Sequence, residues 1–246
     1  MVERNSDFIF GLHPVQEALK ANKTIDKILI SRDLKGESVR MIRGLSKSNQ
    51  VQVKQVPEEK LNRITRKNHQ GIIAFISPVD FHSIEDLLPT LFSSNKDPLL
   101  LILDGVTDVR NFGSMLRTAE CMGVDAVIMP ARNSVAINAD VVKTSTGAIY
   151  NIPICKEIHF GSVLQYISES GCKLIACSEK AKKELKESDL TGPIAIIMGD
   201  EGSGIDDKTL GRCNDHIKIP MSGKTGSLNV AVSTGMVLYE VVRQKG

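Results

Sequence analysis

The sequence predicts an α/β protein built from two units, and three observations carry that prediction. Short apolar runs alternate with amphipathic stretches of helical period along the chain. Some runs, such as Leu99–Leu103 and Ile194–Met198, are apolar without a break, as strands covered on both faces are. Charge divides unevenly: residues 1–78 hold 14 Lys+Arg and 8 Asp+Glu, a net of +6, against 17 and 21, a net of −4, in the remainder.

The first unit, residues 1–78, reads strand by strand. Phe8–Phe10 is a strand, and His13–Ala21 a helix with Pro14 in its first turn. Asp26–Ser31 is a strand and Glu37–Ser46 a helix. Val51–Val56 alternates apolar and polar as a half-buried strand does. Pro57–Ile64 is a short helix and Gly71–Ser77 a buried strand. Residues 79–97 hold Pro89, Ser93, Ser94 and Asn95 around one amphipathic helix, Ile84–Leu91, and are read as the connection.

The second unit, residues 98–246, opens with the strand Leu99–Leu103. Further strands are expected at Ala126–Met129, Lys173–Cys177, Ile194–Met198 and His216–Ile219. Helices are expected at Phe112–Met122, Ala139–Thr146, Ser162–Ser168, Asp206–Cys213 and from Val230 to Arg243. Apolar strands alternating with helices imply a parallel sheet covered on both faces.

Composition narrows the class. The 246 residues are 41% hydrophobic and 24% charged, which suits a globular protein of one or two domains. No apolar run approaches the length that spans a bilayer, so no membrane partner is expected. The start, MVERNSDFIFG, lacks the basic and apolar regions of a secretory leader. The five cysteines form no C-x-x-C pair and have no histidine at a zinc-site offset. Free buried thiols, a cytoplasmic location and no metal are the expectation. The basic first unit suits a polyanion-binding module; a chance bias on a small surface gives the same numbers.

Three stretches carry candidate chemistry. In DGVTDVRNFGSMLRTAECMGVDAVIMP (Asp104–Pro130), Asn111 and Arg117 ride on a helix that follows a buried strand. Asn111 suits capping as well as a site, and Arg117 suits an anion as well as a solvated surface. In IAIIMGDEGSGI (Ile194–Ile205), a strand runs into a glycine-rich turn bearing Asp200 and Glu201. Ligands of open α/β sheets sit beyond such strand ends, although an ordinary turn reads the same way. In IKIPMSGKTGSLNVAVSTGMVLYEVVR (Ile217–Arg243), a loop rich in small and hydroxyl residues precedes the last helix. That loop suits an anion cradle, or simple capping by Ser227 and Asn229.

Competing motifs fail. A P-loop through Gly223–Thr225 needs glycine at position 218, which is Lys218. No G-x-G-x-x-G follows a strand and no G-x-S-x-G is present.

Taken together, the three stretches resemble the motifs of the SpoU/TrmH (SPOUT) family of RNA 2′-O-ribose methyltransferases. The first carries N-x-G-x-x-x-R at Asn111, Gly113 and Arg117. The second carries G-x-E-G-x-G at Gly199, Glu201, Gly202 and Gly204. The third carries Ile219, Pro220 and Met221, then Ser227, Leu228, Asn229 and Val230. FGLHPVQEAL, KILIS and HQGIIAFIS resemble the L30e-like substrate-binding domain of the RlmB-type branch, which acts on large-subunit ribosomal RNA.

The resemblance implies a trefoil-knotted catalytic unit, an α/β-knot, with S-adenosylmethionine held around Gly199, Ile219 and Leu228. It implies a homodimer through the catalytic units and RNA as the partner, most simply a guanosine ribose of 23S rRNA. It assigns catalysis to Asn111, Arg117, Glu201, Ser227 and Asn229. In the family Arg117 accepts the hydroxyl proton. A guanidinium stays protonated in nearly all settings, so gripping a phosphate and steadying negative charge on the oxygen fits equally. Asn111, Glu201, Ser227 and Asn229 would then orient Arg117 and the ribose. The first unit's aromatics, Phe8, Phe10 and Phe75, lie in strand-like runs, so it is expected to grip folded RNA by shape and phosphates. Another ribosomal or transfer RNA site, and a non-catalytic RNA-binding role, remain as alternatives.

Overall fold

The structure, a computed structural model, describes residues 8–94 and 97–246. Met1–Asp7, read for a leader, and Asn95 of the connection lie outside the described residues. The chain divides into two compact units. One runs to Asp80 and takes in Ile137–Ala139; the other holds Phe81–Ala136 and Asp140–Gly246.

In the first unit, strands β1 (Phe8–Phe10), β2 (Ile25–Ser31), β3 (Val53–Val56) and β4 (Ile72–Ile76) form a sheet in the order β1-β4-β2-β3. Helices α1 (Leu12–Lys20), α2 (Glu37–Ser48) and α3 (Glu58–Ile64) cover it. Side chains alternate across a strand, so β2 sends Ile28 and Ile30 one way and Leu29 the other. The first pair is buried with Val15, Leu19, Val39 and Ile42 of α1 and α2. Leu29 is buried with Leu61 of α3. Phe8, Phe10 and Phe75 pack against that second cluster while half-buried, with ring centroids 6.0 to 6.2 Å apart. The two motif segments of this unit meet: Gln70 accepts a hydrogen bond from the Leu12 amide at 2.9 Å.

The second unit runs α4 (Ile84–Ser93), β5 (Leu99–Asp104), α5 (Val109–Cys121), β6 (Ala126–Pro130) and α6 (Ala139–Thr144). It continues β7 (Ile154–Glu157), α7 (Phe160–Glu169), β8 (Lys173–Cys177), β9 (Lys183–Glu184) and β10 (Ile194–Gly199). It ends with α8 (Asp207–Leu210), β11 (Asp215–Lys218) and α9 (Val230–Lys245). The seven strands form a parallel sheet in the order β7-β6-β5-β10-β8-β11-β9. The order reverses direction between β5 and β10, and an open parallel sheet binds ligands beyond the carboxyl ends at such a switch.

On one face, Ile84 and Leu88 of α4 and Val163, Leu164 and Ile167 of α7 are buried against Leu100, Ile102, Ala195 and Ile197. Each such aliphatic side chain stabilises the fold by roughly 1.5–3 kcal/mol. Leu101, Ile196 and Met198 alternate to the opposite face and are also buried. There α9 contacts β10, and α5 packs on α9.

Strands β7 and β9 were not expected. β7 follows Pro153 and ends in Lys156 and Glu157, which hides a strand among charges. Burial raises the Glu157 carboxyl above the usual range, and it accepts from the Ile84 amide at 3.4 Å. β9 spans two residues, too few to show a period.

Candidate functional site

The site is built on the switch between β5 and β10. Their last residues, Asp104 and Gly199, lie side by side. Beyond Gly199 the chain makes a tight turn. The Asp200 amide donates to the Gly204 carbonyl at 3.1 Å, and the Gly204 amide returns to the Asp200 carbonyl at 2.9 Å. The Asp200 carboxylate accepts from the amides of Gly202 at 3.0 Å and Ser203 at 3.4 Å. Asp104 accepts from the Asp206 amide at 3.1 Å and anchors the far end. Gly204 has φ +72°, a conformation that glycine adopts without strain. A Cβ on Gly199 would lie 2.2 Å from the Gly204 carbonyl carbon, so no larger residue fits beneath the turn.

The turn forms one wall of a cleft. Gly199, Glu201, Ile219, Ser227 and Leu228, five of the residues singled out in the sequence, line it together. Ile219 is 8% exposed, whereas Leu228 is 39% exposed. Met198, Ile205 and Leu210 add apolar surface. The cleft therefore offers backbone groups and aliphatic side chains, the donor set that suits an adenosine with a sulfonium-bearing chain. Cys177 also lines it, and burial pushes its thiol up to about 11. The thiol stays protonated at neutral pH and is a poor nucleophile there. Among the described residues, no group of three or more His, Cys, Asp or Glu is placed to hold a metal.

At the rim, Glu201 gathers the motifs. Its Oε1 accepts from Asn229 Nδ2 at 2.5 Å and from the Val230 amide at 3.4 Å. The same Nδ2 donates to Asn111 Oδ1 at 3.0 Å. Asn229 Oδ1 accepts from the amides of Ala231 at 3.0 Å and Val232 at 3.2 Å, so it caps α9. Capping and site therefore coincide at Asn229. Asn111 is not a cap. That place belongs to Asp108, which accepts from the amides of Arg110 and Asn111 at 2.9 and 2.8 Å.

Arg117 stands apart. Six residues at ~100° each carry it about 240° round α5 from Asn111. It is exposed and makes no hydrogen bond or ion pair among the described residues. Nor does it line the cleft. Ser227 lines the cleft with an exposed side chain and has no hydrogen-bond partner among the described residues. Asn111, Glu201 and Asn229 thus hydrogen-bond with one another, and none of them bonds Arg117 among the described residues.

A family model described as the SpoU rRNA Methylase family matches residues 98–239. The chain belongs to the SpoU family. A second model, RNA 2′-O ribose methyltransferase substrate binding, matches residues 8–82 of this SpoU chain. A Staphylococcus saprophyticus protein named for the TrmH family of tRNA/rRNA methyltransferases is 35% identical, with 96% of this chain and 95% of the relative covered. Bacillus subtilis YacO, named for the same family, is 31% identical, with 99% and 98% covered. The fold of this SpoU chain is also that of the AdoMet-bound rRNA methyltransferase of Sinorhizobium meliloti. That pair has a TM-score of 0.62 at 23% identity, with 98% of this chain and 88% of the other covered.

Several structurally placed residues of the SpoU site escaped the sequence reading. Asp108 and Asp104 fix backbone rather than ligand: Asp108 accepts from amides two and three residues on, which was its signal, whereas Asp104 reaches the distant Asp206 amide, which no local pattern shows. Ser178, Glu179 and Lys180 line the cleft from beyond β8, where a strand-end loop of the same sheet was the clue. Thr144 presses on Gly113, whose Cβ would sit 2.1 Å from Thr144 Oγ1.

Proposed function

We propose that this chain transfers a methyl group from S-adenosylmethionine to a ribose 2′-hydroxyl of RNA, on a guanosine of large-subunit ribosomal RNA. The observation that carries this reading is the convergence of Asn111, Glu201 and Asn229 at the rim of the cleft lined by Gly199, Ile219, Ser227 and Leu228. S-adenosylmethionine supplies an electrophilic methyl on a sulfonium when bound. Gly199, Ile219 and Leu228 would hold it through backbone and apolar contact. Asn229, with its amide locked by the α9 cap, orients Glu201 and Asn111 toward the ribose. Ser227 offers a hydroxyl at the same wall. Arg117, exposed and with no partner among the described residues, would meet the phosphate beside the target and steady charge on the attacking oxygen.

Residues 1–78 serve as the RNA-gripping domain and 98–246 as the catalytic domain; the segment 79–97, expected as the connection, gives its helix α4 to the core of the catalytic unit, because Ile84 and Leu88 are buried there. The third motif passes under the second in a trefoil knot; the insertion of β10 between β5 and β8 supports that arrangement. The working compartment is the cytoplasm, in keeping with five free cysteines. Transfer RNA is the second reading, because the relatives' names carry both substrates. Ribose-methylation mapping of ribosomal and transfer RNA from a deletion strain tests both. One ribosomal guanosine should lose its mark and regain it on complementation. A mark missing only from transfer RNA moves the target, and an unchanged pattern removes the activity.

The second copy of the proposed homodimer covers α9. Val232, Met236, Tyr239 and Val242 are 53%, 43%, 61% and 39% exposed and recur at helical spacing. Such an apolar stripe suits a self-complementary two-fold contact. Light scattering should report a dimer, and Val232→Asp with Tyr239→Asp a monomer. A wild-type monomer at micromolar concentration refutes the contact.

A further inference from the structure

We propose that a second cleft, on the far side of the Asp200–Ile205 turn, binds a phosphodiester of the RNA strand flanking the target nucleotide. This rests on the RNA-methylating reading and adds a strand-binding site to it. The cleft is lined by Arg132, Lys180, Lys208 and Arg212, with Phe160 beside them. Its volume of about 890 Å³ falls within the ~300–1,000 Å³ of small-molecule clefts. That is room for a nucleotide rather than a lone ion.

Position is the first argument. Asp200, Ser203, Gly204, Ile205 and Lys180 line both clefts, so the braced turn is a shared wall. A strand lying in the second cleft runs within one turn's thickness of the methyl-donor site. Both clefts open at the carboxyl ends of the same parallel sheet: Gly199, the last residue of β10, lines the first, and Asp104, the last of β5, lines the second.

Charge is the second. Residues 79–246 carry 17 Lys+Arg against 21 Asp+Glu, yet four cations gather here. Four carboxylates line it too, so the formal charges balance, but in three of the four an oxygen already accepts from backbone amides. Asp104 accepts from the Asp206 amide, Asp200 from the Gly202 and Ser203 amides, and Asp206 from the Lys208 backbone amide at 2.9 Å. The fourth, Asp207, sits in the first turn of α8. The cations are not committed in this way. Among the described residues none of the four makes an ion pair, and only Arg212 spends a side-chain donor, on the Lys208 carbonyl at 2.9 Å. Arg212 also lies over Gly161, where a Cβ would be 3.3 Å from its guanidinium, so the α7 start seats it. Free guanidinium and ammonium donors match the phosphates of a nucleic-acid strand, and the half-buried Phe160, which packs on the core, adds an apolar edge to the cleft.

The test uses the full-length protein and bulk ribosomal RNA, with affinity measured across salt concentrations. Arg132→Ala with Lys208→Ala removes two side chains that make no hydrogen bond among the described residues. The slope of log affinity against log salt should flatten by about one for each phosphate no longer neutralised. S-adenosylmethionine affinity and thermal midpoint should stay at wild-type values. Arg132→Lys with Lys208→Arg should restore affinity, since phosphate needs the charge. If the double alanine variant is unstable, Arg132→Ala alone should flatten the slope by about one. Unchanged affinity and slope in the alanine variants, with wild type binding RNA, overturn the second cleft alone. Wild-type protein that neither binds nor methylates RNA overturns the methylating reading and this inference together.

Discussion

Arg117→Ala should lower single-turnover methyl transfer by a factor on the order of 10²–10³, the usual loss when a donor aimed at developing charge is removed. S-adenosylmethionine affinity should hold, because Arg117 does not line the cleft. Stability should hold as well, because the exposed guanidinium has no partner among the described residues. Arg117→Lys should not rescue, since an ammonium cannot reproduce the planar fork. Transfer rates near wild type in either variant exclude Arg117 from the chemistry. Failure to bind the cofactor makes it a residue of the other wall.

Gly199→Ala should abolish measurable S-adenosylmethionine binding. Its methyl group would meet backbone, with the Gly204 carbon at 2.2 Å, the Gly204 oxygen at 2.4 Å and the Ile205 nitrogen at 2.4 Å. Backbone cannot rotate aside as a side chain can, so the whole turn must move. Overpacking of this kind costs about 1–3 kcal/mol, and each kcal/mol lowers the melting temperature by roughly 2–4 °C in a domain of this size. Gly202→Ala is the control. Its Cβ would meet only the Asp200 carboxylate at 3.4 Å, and binding should survive. Calorimetry and thermal melts decide the pair; wild-type cofactor affinity in Gly199→Ala would remove the turn from the binding site.

How much of this was legible beforehand follows from what each residue touches. Uninterrupted apolar runs at Leu99 and Ile194 became adjacent central strands, because a strand buried on both faces needs no polar side. β7 escaped because its Glu157 is buried by partners distant in sequence. Gly199, Ile219, Ser227 and Leu228 could be grouped only through motif resemblance, since no period links residues brought together by strand order. The cap at Asn229 was legible as local chemistry, but its reach to Glu201 and Asn111 was not. Asp108 was overlooked at the α5 start because Asn111 competed for the same role. Cys121, expected to be buried, is exposed, because it lies four residues after the exposed Arg117 on the solvent face of its helix.

The double duty of Asn229 bears on how such a chain ages under mutation. Its Oδ1 starts the terminal helix while its Nδ2 serves the rim. A descendant that had stopped modifying RNA would still draw about 1 kcal/mol of stability from that cap. Arg117, which makes no hydrogen bond or ion pair among the described residues, would be free to drift once the proposed activity was gone. Loss of the arginine beside a retained asparagine is therefore the mark a retired enzyme of this design would carry.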